Sequence, residues 1–256
     1  MGRRTGISTL IFAGALAAFA STGSGARAQE PARTSFLFAA DGEYNEIETK
    51  YIFGFTNGSD IGLKGEMAVE TDTNAAFRRR AGRYMALEQE IEFEHVPTEN
   101  FAYELSVHGM AHRIKDDEVL ADRSLVRWSG LSANFRYLII GRGPGSPIGL
   151  TISAEPEWSR VDGLAGPPTR SLASTFILAA DTELVANRLF AAANVRWEPE
   201  ISRAVGDAAW SRASTFGASA AMAWRFTPKI TAGAELEYFL AYDSLGFGAF
   251  QGRSIY

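Results

Sequence analysis

Cysteine is absent from this 256-residue chain, and histidine occurs only three times. Without cysteine the chain has no disulfide, thiolate zinc site or cysteine nucleophile, so metal or redox chemistry would depend on carboxylates and histidine. Basic residues are also fewer than acidic ones, with 25 Lys and Arg against 30 Asp and Glu and a formal charge of −5. Nucleic-acid binding needs the opposite balance. We therefore predict no cofactor, no metal site and no nucleic-acid partner.

Long apolar runs are also missing, apart from one near the start of the chain. Residues 7–20 are mostly apolar, follow two arginines and precede Ala26-Arg27-Ala28, which fits an A-x-A cleavage site. This arrangement predicts a secretory signal peptide at residues 1–28 and a mature domain at residues 29–256. The run is shorter than the roughly 20 residues of a membrane-spanning helix. A mature protein in a membrane would therefore have to cross it as strands.

In the mature chain, apolar and polar residues alternate with a period of two, which predicts β-strands. In residues 85–95 the odd positions are mostly apolar, whereas the even positions from 88 to 94 are all glutamate. The same alternation predicts strands at residues 101–112, 131–139, 148–158, 189–198 and 230–240. Weaker alternation predicts strands at residues 34–39, 47–56, 61–71, 172–180 and 216–226, with a twelfth beginning near Gly252. A length of about ten residues suits strands that span a bilayer.

The connections between these strands alternate between tight turns and longer polar loops. Tight turns are predicted at residues 57–60, 97–100, 144–147 and 227–229. Longer loops are predicted at residues 74–83, 115–127, 160–170, 205–212 and 243–253. This arrangement is typical of outer-membrane barrels, whose short turns are periplasmic. The predicted fold is all-β: a transmembrane antiparallel up-and-down β-barrel with 12 or 14 strands when intact, since bacterial barrels have even strand numbers. Counting residues 34–39 as a strand places the N-terminus on the short-turn side.

Aromatic residues on the apolar parity fall at two heights, as expected for belts at the two membrane interfaces. The short-turn belt would contain Phe53, Phe55, Phe101, Tyr103, Trp224 and Phe226, and the opposite belt Trp158, Trp197 and Tyr238. The alternative is a soluble sandwich of two sheets, in which the apolar face is a protein core.

Together these features resemble Gram-negative outer-membrane β-barrels. Several stretches are similar to a porin-like proteobacterial family without an assigned activity. They are Tyr51-Ile52-Phe53-Gly54-Phe55-Thr56-Asn57-Gly58, Gly82-Arg83-Tyr84 leading into Ala86-Leu87-Glu88, Asn100-Phe101, and Gly149-Leu150-Thr151-Ile152-Ser153-Ala154-Glu155-Pro156. The resemblance implies a cell outer-membrane location after export to the periplasm and provides no catalytic motif. Such barrels usually end on a full strand, whereas Arg253-Ser254-Ile255-Tyr256 stops early, so we expect the C-terminal end to be truncated.

The parity opposite the apolar face would line the interior of such a barrel, and it is mainly acidic. The predicted lumen-lining residues are Glu66, Glu70, Glu88, Glu90, Glu92, Glu94, Glu104, His108, Arg136, Glu155, Arg196, Glu235 and Glu237. A negative wall in a low-dielectric tube concentrates cations. The predicted function is therefore a passive porin-like channel that favours cations or small neutral solutes, with outer-membrane lipid as its surroundings. The oligomeric state is left open.

Two alternative functions remain open. Acids and arginines could pair to plug a narrow barrel, which would then act structurally or through surface interactions. An outer-membrane hydrolase is less consistent with the sequence, because Ser106 and His108 lie about 6–7 Å apart along one strand, beyond hydrogen-bond reach. His108 and His112 would be about 13 Å apart, too far to share a metal ion. We therefore expect no enzyme and no catalytic residues.

Overall fold

A computed structural model describes residues 32–39, 49–77, 82–143, 146–227 and 230–255. The predicted signal peptide at residues 1–28 lies outside this range, as does Tyr256. The described chain is all-β except for a short 3-10 helix at Thr49–Tyr51. No helix in these ranges combines the length and apolar character that crossing a bilayer requires.

Eleven strands follow one another in a single antiparallel up-and-down sheet, in which each strand pairs with its neighbours in sequence. They are β1 Ala32–Ala39, β2 Met67–Phe77, β3 Arg83–Thr98, β4 Phe101–Lys115, β5 Arg123–Ile140, β6 Ile148–Val161, β7 Pro168–Val185, β8 Leu189–Ala204, β9 Ser211–Thr227, β10 Ile230–Tyr242 and β11 Phe250–Ile255. The prediction of an all-β, up-and-down fold is confirmed. The described strands do not divide into the two stacked sheets of a sandwich.

The strand count and the edges of the sheet differ from the prediction. The described residues form eleven strands, whereas we expected twelve in this chain, the last beginning near Gly252, and 12 or 14 in an intact barrel. Within the described ranges β1 pairs only with β2, and β11 pairs only with β10. The sheet is therefore open between its first and last strands.

The strand predicted at residues 47–56 is wrong for its described part, since residues 49–56 form no strand. The strand predicted at residues 61–71 begins only at Met67. Residues 49–66, which we call the inner segment, instead lie across the polar face of the sheet. The tight turn predicted at residues 57–60 belongs to this segment and does not join two strands. Because one predicted strand does not form, β1 runs in the direction opposite to the predicted one. Ala32 therefore lies towards the long-loop rim beside Thr73, and not on the short-turn side. Phe53 and Phe55 likewise belong to the inner segment and not to an aromatic belt.

Most strands are longer than the predicted ten residues, and β5 and β7 reach 18. The strands extend into segments that we predicted as loops, and charged residues in these segments still form backbone pairs. Arg83 pairs with Lys115 at the ends of β3 and β4. The longer loops are consequently shorter than predicted.

The two faces of the sheet have inverted polarity compared with a water-soluble protein. On one face, which we call the apolar face, Leu105 is 47% exposed, Val195 62% and Leu236 59%. On the other, the polar face, Glu94 is only 1% exposed and Glu237 5%. Large aliphatic residues are usually the buried ones and carboxylates the exposed ones. A small apolar core of Ile61, Val96 and Ala102 lies between the inner segment and the polar face.

The strands are strongly staggered, as shown by a row of directly paired residues on the apolar face. The row runs through Tyr103, Phe135, Ala154, Phe176, Trp197, Phe216 and Leu240. Tyr103 is near the short-turn end of β4, whereas Leu240 is near the long-loop end of β10. The row climbs roughly eight residues over about six strand spacings, which corresponds to a strand tilt of about 40° at about 3.3 Å per residue and about 4.8 Å between strands. Tilts of this size are typical of barrels.

Candidate site where the inner segment meets the acidic face

The inner segment contacts strands that are far apart in the sheet. The Lys50 ammonium lies 2.6 Å from Glu94 Oε1 on β3 and 2.7 Å from Glu104 Oε1 on β4. The neighbouring residue, Thr49, donates a hydrogen bond through its hydroxyl to Asp181 on β7. Strands β3 and β7 would be about 19 Å apart in a flat sheet. Because consecutive residues contact both strands, the sheet must curve around the inner segment.

Lys50 is the positive centre of an acidic cluster. Carboxylate oxygens of Glu92, Glu94 and Glu104 lie within 4.8 Å of one another, a spacing that would also suit a metal ion. Here the Lys50 ammonium supplies the positive charge, and Asn134 Nδ2 donates to Glu104 at 2.6 Å. Burial lowers the pKa of Lys50, but the Glu104 and Glu94 carboxylates raise it more, so the net pKa lies above its ordinary value. The ammonium therefore stays charged inside the cluster.

Arginines and an aspartate hold the middle of the inner segment. Asp181 accepts hydrogen bonds from Ser59, at 2.7 Å from the hydroxyl and 3.0 Å from the amide. Arg142 bridges Asp181 at 3.3 Å and Asp60 at 2.9 Å. Arg136 on β5 donates to the carbonyls of Gly58 at 3.1 Å and Asp60 at 2.8 Å. These side chains take the place of the backbone partners that a strand would have provided.

Residues 55–57 of the segment are held by β8 and β10 in the same way. Glu235 accepts hydrogen bonds from the amides of Phe55 at 2.9 Å and Thr56 at 2.7 Å. Asn194 both accepts from the Asn57 amide at 2.6 Å and donates to the Asn57 carbonyl at 2.8 Å. These contacts all lie in the half of the polar face nearest the short turns. The inner segment therefore covers that half.

The half of the polar face nearest the long loops carries a second group of carboxylates, which we call the acidic group. It consists of Glu88, Glu90, Glu155, Glu157, Glu198 and Glu200. Glu157 on β6 interacts electrostatically with Glu88 on β3 and Glu200 on β8. Arg196 lies 3.4 Å from Glu198 and neutralises part of the charge. The acids of three separate strands thus face one another across the curved sheet.

The predicted lumen-lining residues lie on the polar face of the strands, except for Glu66, which belongs to the inner segment. The structure brings Glu94, Glu104, Arg136 and Glu235 together around the inner segment. Glu66 itself accepts a hydrogen bond from the Leu63 amide at 2.9 Å.

The other predicted residues lie elsewhere on the polar face. Glu88, Glu90 and Glu155 lie nearer the long loops, and Arg196 lies at the middle of β8. Glu70 and Glu237 lie on β2 and β10 towards the edges of the sheet.

The residues considered for a hydrolase do not assemble into a triad. The Ser106 hydroxyl donates to Glu92 at 3.2 Å, and the His108 ring contacts the Ser132 hydroxyl at 3.0 Å. His108 also lies 4.0 Å from Glu90. His112 contacts the Gly163 carbonyl at 2.7 Å, so the two histidines of β4 have separate partners.

The sequence-based site omitted Arg142, Asp181 and Asn194, which all contact the inner segment. A signal for two of them is present in the sequence. Asp181 follows Ala179 on the inward parity of β7, and Asn194 is preceded in the same way by Ala192 on β8. A polar side chain that follows a small apolar one on a buried face needs a hydrogen-bond partner, and the small neighbour leaves room for one from elsewhere in the chain.

Comparison with known proteins places the same region in one family. The model of a family of unknown function, DUF6662, matches residues 45–256. The chain belongs to DUF6662. The match begins just before the inner segment and includes strands β2 to β11, so the segment and the sheet that binds it are parts of one DUF6662 unit. No curated protein and no solved structure matches the chain.

Proposed function

We propose that this DUF6662 protein is an outer-membrane β-barrel that acts as a passive channel favouring cations or small neutral solutes. The observation that carries this proposal is the inverted polarity of the sheet, with exposed aliphatic side chains on one face and buried carboxylates on the other. Exposed apolar surface of this extent is stable against lipid but not against water. Residues 1–28 would direct export before the strands insert.

Three features of the fold support a barrel. The strand tilt of about 40° matches the range found in transmembrane barrels, the sheet curves around the inner segment, and each strand pairs with its sequence neighbour. Aromatic residues of the apolar face also form rows near both rims. Phe101 stacks on Phe135 near the short turns, and Trp128 packs edge-on against Trp158 near the long loops. Closure would join the two edges of the sheet and remove their unpaired backbone groups.

The acidic group provides the basis for cation preference. Arg196 neutralises only part of the charge of its six carboxylates, so the long-loop half of the interior is negative. A negative wall at low dielectric attracts cations and repels anions. The inner segment narrows the path at the short-turn half, so we expect a small conductance.

Planar-bilayer recording of the purified full-length protein tests this proposal. We expect current steps whose reversal potential in a salt gradient shows cation preference. The double variant Glu88→Gln with Glu157→Gln removes two acids of the acidic group and should move the reversal potential towards zero. Glu118→Gln, in the exposed loop after β4, is the matched control and should change nothing. Anion preference in the unaltered protein would contradict the proposal.

The inner segment favours a second candidate function, a closed barrel that acts structurally or through its loops. The segment is hydrogen-bonded along its length to strands from β3 to β10. A protein that inserts into bilayers but conducts no current, with or without substitutions in the inner segment, would support this candidate over the channel.

A further inference from the structure

Four arginines lie together on the apolar face at the long-loop rim, one on each of the strands β6 to β9. They are Arg160, Arg170, Arg203 and Arg212, which we call the arginine quartet. Each has the parity of the exposed aliphatic residues on its strand; Arg203 is half-buried and the other three are exposed. A positive patch on the outside of the sheet contrasts with the negative charge of the polar face.

The strand register brings the charges of the quartet close to one another. Arg170 pairs directly with Arg203, and the pair of Ile201 with Arg212 places Arg212 diagonally beside Arg203. Side chains in direct pairs have Cβ atoms about 4.5–5.5 Å apart, and diagonal neighbours are about 7–8 Å apart. Like charges at these spacings repel each other. The register therefore favours an anion that binds between them.

Acidic side chains do not neutralise the quartet. None of the ion pairs formed within the described ranges includes any of its four arginines. The carboxylate of Asp162, in the loop after β6, accepts hydrogen bonds from the amides of Leu164 at 3.1 Å and Ala165 at 2.7 Å instead. The patch thus keeps its positive charge.

Tryptophan rings border the quartet at the edge of the apolar face. The Arg160 guanidinium lies 5.5 Å from the centre of the Trp128 ring, and that of Arg203 lies 4.9 Å from the Trp210 ring. Tryptophan and arginine side by side, between an aliphatic surface and polar loops, are suited to the headgroup level of a membrane. A ligand here would contact charge on one side and apolar surface on the other.

We propose that the arginine quartet binds the phosphate groups of a lipid headgroup in the leaflet at the long-loop rim. Guanidinium groups bind phosphate through paired charge-assisted hydrogen bonds, which fits the two adjacent forks of Arg170 and Arg203. The inference rests on the proposed function, because a headgroup reaches this height only if the apolar face spans a bilayer. Free phosphate would use the same arginines, but it would gain nothing from the tryptophans and the aliphatic surface.

The test is binding of fluorescently labelled diphosphoryl lipid A to the full-length protein in detergent micelles. The double variant Arg170→Gln with Arg203→Gln should weaken binding about tenfold or more, since it removes the charge-assisted bonds of two guanidinium groups. The matched control Arg188→Gln, an exposed arginine in the turn between β7 and β8 at the opposite rim, should bind as tightly as the unaltered protein. The lipid with its phosphates removed should bind weakly, and inorganic phosphate should compete poorly.

Equal affinity for the dephosphorylated lipid, an unchanged affinity of the double variant, or full competition by inorganic phosphate would overturn the inference. Flotation of the protein with phosphatidylcholine vesicles separates this result from the proposed function. A protein that floats with vesicles but fails the lipid A test leaves the barrel proposal standing. A protein that does not float overturns both. Arg170→Lys with Arg203→Lys keeps the charge and should retain more binding than the glutamine pair, which excludes a loss caused by misfolding.

Discussion

Lys50 is the residue on which the start of the inner segment depends most. Its ammonium contacts two carboxylates on neighbouring strands, at 2.6 Å from Glu94 and 2.7 Å from Glu104. Removing one partner of a buried ion pair leaves an uncompensated charge, which costs about 3–5 kcal/mol. Loss of the ammonium would leave the two carboxylates without a counter-charge, and Glu94 is almost completely buried.

We therefore predict that Lys50→Met lowers the free energy of unfolding in detergent by about 3–5 kcal/mol at neutral pH. In acid the loss should shrink, because protonation removes the unpaired charges of Glu94 and Glu104. Lys64→Met is the matched control, since Lys64 belongs to the same inner segment but is exposed. Equal effects of the two substitutions on chemical denaturation would show that the ion pairs of Lys50 contribute little.

At the scale of elements, the inner segment can dock only because β6 offers a position without a side chain. A Cβ atom added to Gly149 would lie 1.9 Å from Ser59 Oγ and 2.7 Å from Asp181 Oδ1. The contact between Ser59 and Asp181 is the one that holds the middle of the segment. A side chain at position 149 would therefore push the segment away from the strand while leaving the backbone pairs of β6 intact.

We predict that Gly149→Ala loosens the inner segment without unfolding the sheet. Hydrogen exchange of the amides of Asn57 and Ser59 should become faster, whereas exchange in the centres of β5 and β6 should stay slow. Gly252→Ala serves as the control, because a Cβ atom there meets nothing within 4 Å. Unchanged exchange at Ser59 in the Gly149 variant would mean that the segment is not held by this contact.

For the whole molecule, the question is what covers the apolar face. Val195 lies in the middle of β8, surrounded by the aliphatic residues of the neighbouring strands, and is 62% exposed. Val205 is 63% exposed but lies in the loop after β8, beyond the strands. The two valines are equally accessible, but Val195 lies at mid-height on the sheet and Val205 lies in a loop at its rim.

We predict that Val195→Arg reduces the stability of the vesicle-inserted protein by about 2–4 kcal/mol, the cost of an arginine near the bilayer midplane. Val205→Arg should cost about 1 kcal/mol or less, as expected near the interface. Unfolding from phosphatidylcholine vesicles in guanidinium chloride measures both. If the two substitutions have the same effect, the apolar face does not lie in lipid and the barrel proposal fails.

The outcome for particular segments shows how far sequence patterns reach. Residues 85–95 and 101–112 were predicted as strands and lie within β3 and β4. Residues 47–56 also alternate, but the described part, residues 49–56, belongs to the inner segment instead. Within a short stretch the two cases look the same. They differ in whether a neighbouring strand or a set of distant side chains satisfies the backbone.

The sequence alone determined most of the strands, their order and the residues that share a face, because side-chain parity is a local property that each strand expresses by itself. The path of the inner segment was decided only in the tertiary structure. Ser59 and Asp181 are 122 positions apart, and Thr56 and Glu235 are 179 apart. Such contacts require a curved sheet that places the polar residues of many strands around one stretch of chain, and no local sequence pattern specifies this arrangement.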